Sequence, residues 1–185
     1  MNLKMMTYVG VCVMALAGVA ASAQMGTKMV GGAELFPTKN IIENAVNSKD
    51  HTTLVTAVKA AGLVETLSGK GPFTVFAPTN AAFAKLPAGT VEGLLKPESK
   101  ATLTKVLTYH VAAGKWDAAS IAKMIADGKG KAEITTVAGG KLWASMAGQT
   151  VMLTDEKGGM AHVTIADVNQ SNGVIHVIDT VLMPK

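Results

Sequence analysis

The run Asn172-Gly173-Val174-Ile175-His176-Val177-Ile178-Asp179-Thr180-Val181-Leu182 opens on a turn dipeptide and continues as an extended strand. Alternation puts Val174, His176 and Ile178 on one face. Ile175, Val177, Asp179 and Val181 take the other. A strand apolar on both faces is buried on both, as in the middle of a covered sheet. His176 is then a structural hydrogen-bonder, and Asp179 requires a partner of its own. Working back from this run, the same period of two recurs at 133–137, 141–146, 150–154 and 161–165. The signals Gly139-Gly140, Ala147-Gly148 and Lys157-Gly158-Gly159 separate those strands.

Before residue 110 the period is mostly helical. Ile41, Ile42 and Ala45 share one helical face. Asp50 stands as an N-cap candidate before 51–62, whose stripe is Leu54, Val55, Val58 and Ala61, and Gly62 suits the left-handed C-cap. Phe73-Thr74-Val75-Phe76-Ala77 reads as a short strand ended by Pro78. Thr79 or Asn80 caps a short helix carrying Phe83 and Leu86. A further short helix spans 89–95, and a longer one over 98–109 aligns Leu103, Val106, Leu107 and His110. Residues 111–130 receive no assignment. Helices followed by short strands define an α+β class.

Composition bounds the chemistry. The chain has 185 residues, of which 49% are hydrophobic and 16% charged, so it carries enough apolar material for one core. Its 17 basic residues are all Lys, scattered and balanced by 13 acids. That pattern lacks the guanidinium forks and clustered charge of a nucleic-acid reader, and no nucleic-acid partner is expected. Lys4, the uncharged apolar run 5–20 and Ala21-Ser22-Ala23 form a secretory signal with cleavage after Ala23. The expected location is therefore secreted or periplasmic, with no stable membrane insertion after cleavage. Cleavage would also remove Cys12, the only cysteine. Residues 24–39 read as a loosely ordered leader, and the domain proper as 40–185.

No catalytic constellation is visible. G-x-S-x-G and P-loop patterns are absent, and His51, His110, His162 and His176 lack metal-ligand spacing. No catalytic residue, cofactor or metal is expected. Tyr109-His110 ends an apolar helix, so a buried His110 is the plain expectation from the residues alone. Asp155-Glu156 reads as a solvated hairpin loop or, with further oxygen ligands, a weak calcium site. Ala166 to Ser171 breaks the alternation of 161–165 and reads as an exposed loop. There Asp167 either contacts a partner or caps a turn.

Three stretches together resemble the fasciclin domain. They are Thr74-Val75-Phe76-Ala77-Pro78-Thr79-Asn80-Ala81-Ala82-Phe83, the pair Tyr109-His110, and Asn172 to Asp179 with Val181-Leu182 behind it. Order and spacing agree from about Asn40 to Pro184. The resemblance implies a β-sheet wedge or sandwich packed with a cluster of short helices. Its motif positions here are Thr74, Phe76, Pro78, Thr79, Asn80, Phe83, Asn172, Gly173, His176 and Asp179. It also implies a non-enzymatic function: adhesion to an extracellular or cell-surface protein or matrix. In animal members an Asp-Ile pair before the last box is linked to integrin binding; Asp167-Val168 occupies that position, with Val in place of Ile. Tyr109 and His110 are implicated in the same way. The competing readings are a periplasmic small-ligand carrier, which a deep apolar cavity would favour, and a hydrolase built from distant Ser, His and carboxylate groups.

Overall fold

The computed structural model describes residues 27–87 and 89–185. The stretch 1–23 read as a secretory signal lies outside them. Strands β1 (Lys28–Val30) and β2 (Ala33–Leu35) form an antiparallel hairpin. Helices α1 (Ile41–Ala45), α2 (Thr52–Ala61) and α3 (Val64–Ser68) follow. Then come β3 (Phe73–Pro78), α4 (Asn80–Ala84), α5 (Thr90–Leu95), α6 (Lys100–Tyr109) and β4 (Val111–Ala113). The chain continues through α7 (Ala118–Asp127), β5 (Lys131–Thr135), β6 (Lys141–Ala147) and β7 (Thr150–Thr154). It closes with β8 (Met160–Gln170) and β9 (Gly173–Ile178). This is the α+β architecture.

The main sheet has the order β4-β3-β9-β8-β7-β6-β5. All its ladders are antiparallel except β3 on β9, which runs parallel with Phe73 opposite Gly173. The two ends of the sheet nearly meet. Ala112 bridges Thr136, and the Val137 N–H donates to the Val111 carbonyl at 2.7 Å. The sheet therefore curls toward a barrel, which shields its edges.

Two cores lie on opposite sides of the β3–β9 wall. Val75, Ala77, Ile175, Val177 and Val168 face the helices with Leu54, Val58, Leu103 and Leu107. Phe76, Ile178 and Val163 face α7 and the curled strands, among Ile121, Ile125, Leu142 and Leu153. Every residue of β9 is buried, as its two apolar faces require.

The helices are held at their ends. Asn40 and Glu43 form a reciprocal capping box on α1. Gly62 adopts φ +74, and the Leu63 N–H returns to the Val58 carbonyl, closing α2. Asp50 does not cap α2, in contrast to the sequence expectation. Asn80 does so from outside, its Oδ1 accepting from the Thr53 N–H at 3.1 Å.

Three further expectations change. Residues 28–35, within the stretch read as a loose leader, form a hairpin whose Val30 and Leu35 are buried in the helical core. Residues 166–170 are strand rather than loop. They lie in the second half of β8, beyond an irregularity between Ile165 and Val168. Asp155 is 4% exposed instead of solvated. Its Oδ1 accepts from the Lys157 and Gly159 N–H groups, and its Oδ2 from the Met183 N–H at 2.9 Å. That carboxylate staples the β7–β8 turn to the C-terminal segment.

Candidate interaction site around the β8 bulge

The motif residues act as polar ties between sheet and helices. The Thr74 hydroxyl donates to the Gly114 carbonyl and accepts from the Trp116 N–H, both at 2.8 Å. Thr79 caps α4 through the Ala82 N–H, and the Asn80 amide donates to the Lys49 carbonyl. Asn172 accepts from the Ile41 N–H at the start of α1 and donates to the Leu67 and Gly69 carbonyls at the end of α3. Gly173 admits no side chain: a Cβ there would lie 2.0 Å from the Phe73 carbonyl oxygen. Phe76, Pro78 and Phe83 are buried. Phe76 stacks on His176 with 5.7 Å between ring centres. Asp179 accepts from the His162 N–H at 2.9 Å and meets Lys85 at 3.5 Å. Burial works against its ionisation, but those bonds and Thr180 hold the carboxyl below the usual range.

Tyr109 and His110 are structural pins. Tyr109 is fully buried; its hydroxyl donates to the Lys141 carbonyl at 2.7 Å and accepts from the Glu156 N–H. Burial pushes that phenol up to about 12. The ring occupies the space above Gly140, where a Cβ would come within 2.5 Å of it. His110 Nδ1 donates to the Val106 carbonyl at 2.8 Å, and Nε2 accepts from the Leu182 N–H at 3.0 Å. This network assigns the neutral tautomer. Burial lowers the ring pKa to about 4, against the Val106 bond that raises it. Partner contact by these two side chains, which the family resemblance implied, conflicts with exposures of 0% and 2%.

Asp167 and Val168 part company. Val168 is 1% exposed, packed in the helical core, and so offers nothing to a partner. Asp167 is half-buried at φ +56, a left-handed position that Asp tolerates better than most residues. Its Oδ1 accepts from the Ala118 N–H at 2.6 Å, satisfying a free donor at the start of α7. Its own N–H reaches toward His176 Nδ1 at 3.4 Å, while His176 Nε2 donates to the Trp116 carbonyl at 2.7 Å. Burial lowers the His176 pKa, so the ring is neutral. The bulge, β9 and the 114–118 segment thus form one bonded unit. Around it, Trp116, Ala166 and Asp167 are half-buried, Lys115 is exposed, and Lys28 donates to the Ala166 carbonyl. The sequence reading missed Trp116. An aromatic just before an Asp N-cap, Asp117, was the available signal.

The other two readings fare differently. The apolar cavity between α1, α2 and β3, lined by Ile41, Leu54, Val58 and Leu107, measures about 30 Å³, room for about one water. Ligand pockets are roughly ten times larger; clefts of about 340 and 320 Å³ do occur, but they lie open at the surface, one beside Trp143 and Glu156 and one beside Leu95 and Lys100, not between sheet and helices. A Ser–His pair does exist, with Ser48 Oγ 2.9 Å from His51 Nδ1. Both are buried, and Oγ donates to the Val30 carbonyl. That pair fastens the β1–β2 hairpin and presents no accessible nucleophile. Among the described residues, no group of three or more His, Cys, Asp or Glu is arranged to hold a metal, and no helix is long and apolar enough to cross a membrane.

Fold and site together define a class: a helix-wedged, nearly closed sheet whose motif residues serve its own architecture. The chain belongs to the fasciclin domain family, whose model matches residues 49–184. It is 47% identical over 168 residues to Protein sll1483 of Synechocystis, covering 89% of this chain and 86% of that protein. It is 35% identical to the immunogenic protein MPB70 of Mycobacterium bovis, covering 89% and 78%. The FAS1 domain pair of the insect cell adhesion molecule Fasciclin I superposes with a TM-score of 0.69 at 17% identity, over 78% of this chain and 51% of that one. That likeness shows the fold alone.

Proposed function

We propose that this protein is an exported, non-enzymatic adhesion module that binds an extracellular or cell-surface protein or matrix through the surface around Asp167. The family supports the general reading, and the solved neighbour comes from a cell adhesion molecule. The observation that carries the location is Asp167 itself. A charged side chain is held at a left-handed backbone position in the rim of a buried wall, beside the half-buried Trp116. Strained positions of this kind concentrate at functional surfaces, and Trp is enriched in binding hot spots. Export rests on the signal at 1–23. Intact mass of the exported chain tests it, with Gln24 expected as the first residue.

A pair of substitutions tests the site. Asp167→Asn keeps a left-handed-tolerant residue and an oxygen for the Ala118 N–H but removes the charge. Stability should stay within about 0.5 kcal/mol, while cell attachment to a surface coated with the protein falls. Asp167→Ala should also destabilise, by about 1–2 kcal/mol, through the lost cap and the strained φ. Attachment unchanged in Asp167→Asn would reduce Asp167 to a cap.

A further inference from the structure

The outer face of the β7–β8 ladder carries a group of residues that neither the fold nor the adhesion reading uses. Met152 stands directly opposite His162, and Met160 opposite Thr154. Alternation turns Met152, Met160 and His162 to the same outward face, while Val151, Leu153, Ala161 and Val163 turn inward. Met160 is 56% exposed, and the His162 side chain 49%. Trp143 of β6, opposite Thr154, lies diagonal to Met152 on this face. Directly opposed residues have Cβ atoms about 5 Å apart, and diagonal ones about 7–8 Å. Two flexible thioethers and an imidazole therefore stand as neighbours on one small patch of the outer face.

His162 is also oriented. Its backbone N–H donates to Asp179 Oδ1, which sets the carboxylate beside the ring, and the ring Nδ1 lies 3.7 Å from Asp179 Oδ2, an ion-pair distance longer than a hydrogen bond. That carboxylate is fixed in turn by Thr180 and Lys85. A carboxylate facing one ring nitrogen draws that edge of the imidazole toward itself and leaves the other nitrogen as the ligand atom, the arrangement that second-layer carboxylates tighten in metal sites. Among the described residues Nε2 of His162 has no protein partner. The donor set is two thioether sulfurs and one imidazole nitrogen, which suits a soft monovalent ion and ill suits Ca²⁺, Mg²⁺ or Mn²⁺. An indole at the rim adds a π face toward a cation.

We infer that Met152, Met160 and His162 form a surface site for Cu(I), with Asp179 as the positioning residue for the His162 ring. The site lies on the meander, away from Asp167, and stands or falls independently of the adhesion reading.

The test is anaerobic titration of the full chain carrying Cys12→Ser, so that no thiolate competes, with Cu(I) supplied as its bicinchoninate complex. One equivalent should transfer to the protein, with X-ray absorption showing mixed sulfur and nitrogen ligation. Met152→Leu with Met160→Leu, or His162→Gln, should each weaken transfer at least tenfold while unfolding curves stay near wild type. Asp179→Asn should weaken it by about tenfold or more, the effect of losing a second-layer partner. Zn(II) should compete poorly. No transfer, or transfer undiminished in the triple variant of Met152, Met160 and His162, overturns the site. Equal binding of Zn(II) that survives the Met substitutions overturns the soft-ion assignment in favour of a plain His–carboxylate pair.

Discussion

The β3–β9 wall and the β5–β7 meander are built from the same short apolar strands but obey different rules. The wall pairs in parallel, is buried on both faces, and draws its partners from residues 100 positions apart, as with Phe73 and Gly173. The meander pairs with its sequence neighbours, buries one face, and leaves Glu133, Lys141, Trp143 and Met152 outward. At Gly173 the wall sets backbone against backbone, whereas the meander's turn glycines Gly139, Gly148 and Gly158 have open space around them. The difference predicts where the molecule tolerates change. A wall substitution meets backbone on one side and a core on each face; an outer meander substitution meets water.

Gly173→Ala should have the largest effect. The added Cβ would sit 2.0 Å from the Phe73 carbonyl oxygen, and neither strand can retreat without opening a core. A loss of about 3–5 kcal/mol in urea unfolding is expected, the range of severe backbone or packing conflicts. A loss below 1 kcal/mol would show that the wall yields, and the contrast with the meander would collapse.

Acid should separate the regions next. His51, His110 and His176 are buried at the wall or its flanks, and burial lowers all three pKa values. The unfolded chain holds these rings at the ordinary 6.5, so it takes up protons that the folded chain refuses. Stability is therefore complete above about pH 6.5 and falls as pH drops toward 4. His110, lowered to about 4, contributes about 3 kcal/mol to that loss. Equilibrium unfolding from pH 7 to 4 measures it, and His110→Gln should flatten the slope by up to one proton. A parallel slope in the variant would mean that His110 is protonated without cost.

The two regions also differ in what the sequence reveals. The meander strands were legible because local alternation is their physical cause: β7 spans 150–154 as read. The burial of β9 was legible from apolar residues at both phases. Its parallel partner was not, since nothing local encodes a pairing across most of the chain. Residues 166–170 read as a loop because the bulge at Asp167 shifts the phase. Ala161 and Val163 point inward before it, Val168 and Gln170 after it. Helix α7 was missed although Asp117, Ile121 and Ile125 supply cap and stripe. In the candidate site, Asp167 was legible as a turn-former. Its bond to Ala118 was not, because that partner is fixed only by tertiary packing.

The smallest effect belongs to the outer face of the meander. Lys141 and Glu133 sit on adjacent strands, with Nζ 2.9 Å from Oε1 and both side chains about half exposed. Water screens their attraction, and holding two long side chains in one geometry costs entropy, so such pairs couple weakly. The Cα partners of Glu133 and Lys141 are Trp143 and Thr135, which makes this ion pair diagonal rather than directly opposed. A double-mutant cycle with Glu133→Gln and Lys141→Met should give a coupling below about 0.5 kcal/mol at low salt. It should vanish in 1 M salt, where the screening length falls to about 3 Å. Lys141 also carries the carbonyl that accepts from Tyr109, but that bond uses backbone and survives the substitution. A coupling above 1 kcal/mol would mean that the meander's outer face bears structural energy after all. The asymmetry between wall and meander would then lie in backbone crowding alone.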